Sequence, residues 1–236
     1  MIPLRDENPA RDRPVVTSLI IMANIFVFLY QLQLGAGLNQ FFQQFAVIPA
    51  DIFRESSAGP LRPLLPLVTS LFLHGGWLHL IGNMWMLWIF GDNVEDRLGH
   101  GRYLLFYLMG GVVANVAHIL TNPHSALPTI GASGAIGAVL GAYACLHPRA
   151  KVLTLIPLGF FLQTVEVPAW IFLGLWFGLQ LLQGTFSLFT RGAHEVGGIA
   201  FWAHIGGFAF GYVVGLLFGG RRERPDMLAG FQEYQR

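Results

Sequence analysis

The chain has 236 residues, of which 54% are hydrophobic and only 11% charged, with a mean hydropathy of +0.55, a balance outside that of soluble globular domains. A formal net charge of +1 leaves no basic field to hold nucleic acid, and the single cysteine, Cys145, has no second thiol for a disulfide, a CxxC pair or a zinc cluster. This is the composition of a membrane protein, and its 29 glycines point to helices that approach one another closely.

Crossing a bilayer takes about 30 Å, or roughly 20 apolar residues in a helix, and six runs of the chain qualify in an all-α, polytopic arrangement. Residues 1–16 read as a short N-terminal tail on the cytoplasmic side. Thr17–Gly35 is the first span; no small-x-small cleavage site follows it, so it reads as a retained anchor and not a removed signal. The connection Ala36–Ser70 carries Phe41, Phe42, Phe45, Ile48, Ile52 and Phe53 among polar residues, the pattern of an amphipathic element resting in the interface. Trp77–Gly91, Tyr103–Thr121 and Ser133–His147 are the second, third and fourth spans. Val152–Val165 is apolar but has only 14 residues and is interrupted by Pro157 and Gly159, so it is expected at the interface and not as a seventh span. Pro168–Phe189 and Ala200–Gly219 complete the bundle, which occupies residues 17–220, and residues 221–236 form a second cytoplasmic tail.

Orientation follows from the basic residues, because inner loops carry the excess of Lys and Arg. With both tails inside, 11 of the 14 Lys and Arg lie on the inner side, and only Arg54, Arg62 and Arg191 lie outside. A seventh span would move the Arg221–Arg224 cluster to the outer side, against the same rule. The bare six-span organisation suits a bacterial or archaeal cytoplasmic membrane. The sequence sets no oligomeric state.

Polar groups inside a bundle are costly and need a partner, a wet cavity or a function. All 13 acidic residues lie outside the span interiors, which argues against an aspartyl dyad and against a carboxylate proton relay. The cluster of Glu95, Asp96 and Arg97 reads as surface salt bridges of small value. His118, and the loop residues His100, His124 and His194, read as solvated or interfacial and receive no role. On the second span His79 and Asn83 are four residues apart, so one helix face presents both. The fourth span opens on Gly131-Ala132-Ser133-Gly134, and the sixth contains Ala203-His204-Ile205-Gly206-Gly207.

Spacing gives Ser133 and His204 a reason to meet. Ser133, Gly137 and Gly141 form one small-residue stripe, and Ala203, Gly207, Gly211 and Gly215 form another, so the fourth and sixth helices can pack backbone to backbone. From Ser133 to His147 the helix is about 22 Å long at 1.5 Å per residue, too short for a full membrane. The loop Asn122–Ala132 is therefore expected to dip inwards and place Ser133 at the floor of an outward-facing wet pocket. Such an arrangement supports acyl transfer, with Ser133 as nucleophile and His204 as general base and then acid. His79, the Asn83 amide and the Ser133 backbone N–H are suited to receive the oxyanion. With no intramembrane carboxylate to orient the imidazole, a dyad and a slow enzyme are expected. Singly, Ser133 is an ordinary small packing residue and His79, Asn83 and His204 ordinary helix-bridging hydrogen bonders; their combination carries the catalytic reading.

Together, HGGWLHLIGNM at His74–Met84, GASG at Gly131–Gly134 and WAHIGGFAFG at Trp202–Gly211, on the second, fourth and sixth spans, resemble the rhomboid family of intramembrane serine proteases. The resemblance covers about Val68–Gly219 and includes RLG at Arg97–Gly99 and HPRAK at His147–Lys151. It implies catalytic Ser133 and His204, oxyanion donors His79, Asn83 and the Ser133 amide, and a structural His74. It further implies single-span membrane proteins as substrates, cut in or near the outer part of their helix, with no metal or cofactor. The region of Trp170, Phe172, Trp176 and Phe177 would be a movable gate for lateral entry. Two departures stand out: Gly137 occupies the place where many members stack an aromatic on the catalytic imidazole, and Trp77 is followed by Leu78, so the Trp-Arg pair found in the first loop of some members is missing. Two other classes compete: a rhomboid-like protein that binds membrane helices without cutting them, and a metal or proton transporter using His74, His79, His118 and His204.

Overall fold

The computed structural model describes residues 1–52, 64–158, 161–189 and 200–219. Six long helices dominate it: α1 (Val15–Gln33), α5 (Trp77–Leu98), α6 (His100–Thr121), α7 (Ser133–Leu146), α8 (Ala169–Phe189) and α9 (Phe201–Gly219). Among the described residues of the connection between α1 and α5 are three short helices, α2 (Leu38–Phe45), α3 (Pro49–Ile52) and α4 (Pro66–Thr69). A small sheet is made of β1 (Ile2–Asp6), β2 (Lys151–Leu158) and β3 (Phe161–Pro168). Helices α1, α6, α8 and α9 are long and apolar enough to cross a membrane, and α7 is a shorter apolar helix. Large apolar side chains on their outer faces, such as Phe26 (70% exposed) and Leu182 (68% exposed), are largely uncovered among the described residues. Only lipid makes that surface favourable. The chain is an integral, multi-pass membrane protein.

The six helices fall where the sequence places its spans, with one substantial difference at a boundary. Helix α5 continues past Gly91 to Leu98 and thereby includes Asp92, Glu95, Asp96 and Arg97. It stops at Gly99, whose φ of +79° is open to glycine, and α6 starts at the next residue.

Helix α7 is the central post. Its residues from Gly134 to Tyr143 are all buried. The two small-residue stripes meet as expected. A Cβ on Gly207 would strike the carbonyl oxygen of Gly134, one on Gly211 that of Ala138, and one on Gly141 that of Phe208. Backbone therefore lies on backbone along the α7–α9 crossing, a contact that only glycine permits. Helix α1 turns a narrower face inwards, Val16, Ile20, Asn24 and Phe28 at intervals of one turn, with Gln31 beyond them.

The sheet has no counterpart in the sequence reading, which treated Val152–Val165 as interfacial and residues 1–16 as a tail. Strands β2 and β3 form an antiparallel hairpin in continuous register from Lys151↔Pro168 to Leu158↔Phe161, and β1 pairs with the other edge of β2. Pro157 sits at the turn end of the hairpin, beyond the residues of β2 that β1 pairs with, where a missing N–H is tolerated. Val152 and Thr154 are buried at period two, the signature of a strand with one covered face. The first residues are held further by Trp85 Nε1–H, which donates to the Pro3 carbonyl at 2.6 Å, and by the Tyr143 hydroxyl, which donates to Asp6 Oδ2 at 2.5 Å. Asn8 and Asn93 exchange two amide hydrogen bonds of 2.8 Å each. Phe53, Arg54, Arg62, Arg191, His194 and residues 221–236 lie outside the described residues.

Glu95 is not part of a surface cluster. Its side chain is 1% exposed, and its two oxygens accept the Val16 and Thr17 N–H groups at 2.8 Å each. These are two of the donors that the first turn of α1 cannot satisfy internally, and Pro14, which precedes it, offers no side-chain cap. A carboxylate of α5 thus caps α1 from a distance in sequence, with His100 Nδ1 against it at 2.6 Å. Loss of these bonds strands buried donors, so Glu95→Ala is expected to lower stability by about 1–3 kcal/mol. Thermal unfolding in detergent measures it; an unchanged midpoint would return Glu95 to a surface role.

Candidate active site

The site begins with the loop before α7. Gly131 holds φ +125°, a conformation that side chains rarely adopt, and a Cβ there would lie 2.7 Å from His79 Nε2. Glycine is therefore required twice over, for the turn and for the close approach of His79. The loop is pinned from the α1–α5 connection: Val47 and Thr129 exchange backbone hydrogen bonds of 3.1 and 2.7 Å, the Ala50 N–H donates to the Ser125 carbonyl at 3.0 Å, and the Gly131 N–H donates to the Ser70 carbonyl at 2.9 Å. Ser70 is itself held through its hydroxyl by the Asn115 amide at 3.0 Å. The connection read as interfacial has two parts. Helix α2 buries none of its residues, in keeping with an interfacial position, whereas Ala46, Val47 and Ile48 are buried and back the loop. His118, assigned no role from sequence, contacts the Thr129 hydroxyl through Nε2 at 2.9 Å and belongs to the same support.

Ser133 is the first residue of α7 and is half-buried. No intrahelical carbonyl lies ahead of its N–H, because the first turn of a helix leaves its donors free. His204, only 8% exposed on α9, places Nε2 2.8 Å from Ser133 Oγ. The two residues that the stripes were expected to bring together are in hydrogen-bond contact.

The opposite face of the imidazole has a partner that the sequence reading missed. Gln180 of α8 sets its Oε1 2.8 Å from His204 Nδ1. One turn earlier on the same helix, the Trp176 ring lies with its centroid 5.8 Å from that of His204, inclined by 36°. A glutamine inside an apolar span is itself a signal, because an amide at that depth needs a partner. Gly137 has a different explanation from the stacking position it was compared with: a Cβ there would come within 2.9 Å of the His204 carbonyl oxygen. The α9 backbone fills the space, and an aromatic from α8 stands beside the ring instead. Of the aromatic residues grouped on α8, Phe177 stacks on Phe208 of α9 at 4.5 Å and Phe172 lies against Phe90 at 6.2 Å, while Trp170 is exposed.

His79 and Asn83 share one face of α5, as their spacing requires, and both look towards Gly131, two residues before Ser133. His79 Nδ1 accepts the Gly75 N–H at 3.4 Å, which leaves Nε2 to carry the proton on the side facing Gly131. Asn83 Nδ2 is 2.9 Å from His74 Nε2. His74 is 1% exposed, and its backbone is clamped by Gln31, whose amide donates to the His74 carbonyl at 2.9 Å and accepts its N–H at 3.0 Å. Burial, with His79 nearby, lowers the His74 pKa to about 4, so it meets Asn83 as a neutral ring. The structural part expected of His74 thus has a specific form: it orients the Asn83 amide.

Six long helices surrounding a hydrogen-bonded serine and histidine, with the serine at the start of a short central helix, define a polytopic membrane protein with a polar site inside its bundle. The chain belongs to the rhomboid family: the rhomboid-domain profile matches residues 62–221. Its relatives include the rhomboid protease GluP of Bacillus subtilis, 34% identical over 143 residues, which are 60% of this chain and 27% of that protein. Presenilin-associated rhomboid-like protein A, a mitochondrial protein of Danio rerio, is 36% identical over 102 residues, 42% of this chain and 26% of the relative. The putative rhomboid protease YdcA of Bacillus subtilis is 36% identical over 77 residues, 33% of this chain and 38% of the relative. The chain thus spans about a quarter to two fifths of the length of these relatives. Bacterial and mitochondrial proteins both match, so kinship does not select the membrane that the sequence reading favoured.

Proposed function

We propose that this protein is an intramembrane serine endopeptidase that cuts single-span membrane proteins in or near the outer part of their transmembrane helix. The observation that carries the proposal is the 2.8 Å contact between His204 Nε2 and Ser133 Oγ inside a rhomboid-family bundle. His204 accepts the Ser133 proton as Oγ attacks the scissile carbonyl, and the imidazolium then protonates the departing amine. Negative charge develops on the carbonyl oxygen, for which His79, the Asn83 amide and the Ser133 N–H are the donors. Held by Gln31, His74 and Gly131, they need little reorganisation when the charge appears. Water then releases the acyl group by the same steps in reverse. The scheme calls on no metal or cofactor. In this reading residues 17–220 form the protease domain, Arg97, Arg102, Arg149 and Lys151 mark the inner side, and the Ser133 end of α7 opens outwards.

The test is labelling of the detergent-purified protein by a serine-reactive fluorophosphonate, comparing the wild type with Ser133→Ala and His204→Ala. Labelling of the wild type alone, unaffected by chelator, is the expected result. A folded wild type that labels no more than Ser133→Ala would replace this reading with that of a rhomboid-like protein that binds membrane helices without cutting them.

A further inference from the structure

We infer that Gln180 is a positioning residue that sets the tautomer of His204; the inference rests on the catalytic reading above. A neutral imidazole carries one proton. To take the Ser133 proton, His204 must present a bare Nε2 to the hydroxyl and keep its proton on Nδ1. The Nδ1 side faces Gln180 Oε1 at 2.8 Å, a carbonyl oxygen that can only accept. That contact favours the Nδ1–H tautomer, aligns the ring, and leaves Nε2 aimed at Ser133 Oγ. Serine hydrolases commonly give this position to a carboxylate. Here the ring nitrogens of His204 meet Gln180 and Ser133 among the described residues, and a neutral amide in the place of the carboxylate orients the base without a buried charge.

The proposal also explains why Gly137 is compatible with an oriented ring. The imidazole is held from α8, by the Gln180 amide at its edge and the Trp176 ring beside it. The two residues are one turn apart on α8, so a single helix face carries both.

Two variants separate orientation from packing. Gln180→Met keeps the length of the side chain and suits an apolar helix but cannot accept a hydrogen bond. Its kcat is expected to fall about ten- to a hundredfold with little change in KM, the scale on which partners that orient a functional histidine commonly act. Gln180→Glu restores an acceptor. Its charge favours the imidazolium, so the histidine stays protonated to higher pH and the acid limb of the kcat/KM profile is expected to move upwards by about one unit. Nitrogen-15 shifts of the His204 ring, read on folded protein at a pH where it is neutral, are expected to show Nδ1–H in the wild type and a mixture of tautomers in Gln180→Met. A Gln180→Met protein with wild-type kcat and unchanged ring shifts would overturn the assignment. So would a Gln180→Glu protein whose acid limb does not move. Fluorophosphonate labelling of wild type against Ser133→Ala keeps the two readings apart: if the wild type labels and Gln180→Met behaves like it, only the role of Gln180 falls, whereas an unreactive wild type removes both.

Discussion

Alanine at Ser133 or at His204 is expected to reduce cleavage of a transmembrane substrate by at least about a thousandfold, and the double variant is expected to be no worse than the poorer single one. In serine hydrolases the nucleophile and its base act as one unit, so either loss forfeits most of the benefit of both, and a residual rate remains from binding and the oxyanion donors. The geometry here has the same logic, because His204 Nε2 meets the Ser133 hydroxyl at 2.8 Å. If the two residues were merely bridging α7 and α9, each substitution would instead lower stability a little and leave the rate of a folded enzyme nearly intact. A double-variant cycle on initial rates, made on protein with unchanged thermal midpoints, separates the cases: multiplicative losses would show that the two residues contribute independently.

The second large effect concerns packing. Gly211→Ala or Gly207→Ala should each destabilise the bundle by about 3 kcal/mol or more, at the upper end of overpacking losses. The reason is what the new methyl group would meet. At Gly211 it is the backbone of Ala138, and at Gly207 the carbonyl of Gly134. Neither can rotate aside as a side-chain tip could, so the helices must separate. Gly178 on α8 supplies the control, with nothing within 4 Å of its added Cβ. Gly178→Ala is expected to change stability by less than about 0.5 kcal/mol. Unfolding in mixed detergent compares the three, and equal midpoints would contradict the backbone-to-backbone crossing. In the catalytic reading, activity depends on the same seam. A Cβ at Gly137 would press on the carbonyl of His204 itself at 2.9 Å, so Gly137→Ala should cost activity before it costs the fold.

Much of the architecture is legible in the chain because a bilayer simplifies the code. Apolar length specifies a span, glycine at four-residue intervals specifies a close helix pair, and the distribution of Lys and Arg argues for an orientation. Those local rules were sufficient to locate the six long helices, to pair α7 with α9, and to bring Ser133 opposite His204. The same reading placed Gly137 both on the stripe that packs against α9 and at the place of a missing aromatic, without showing that the His204 carbonyl itself lies where its Cβ would be.

What the local rules do not contain is the identity of polar partners far apart in the chain. The Ile2–Asp6 strand pairs with Lys151–Leu158, Glu95 caps α1 at Val16 and Thr17, Gln31 clamps His74, and Gln180 meets His204. A buried amide or carboxylate announces that it needs a partner without saying which one, because the choice depends on how helices cross and not on periodicity within any of them. Composition and spacing by themselves determined that the chain is a membrane bundle and that α7 and α9 touch. The tertiary structure decided how the imidazole is held, how His79 and Asn83 are braced, and that the first residues are folded into a sheet, because each of these depends on hydrogen bonds finding their mates across the fold.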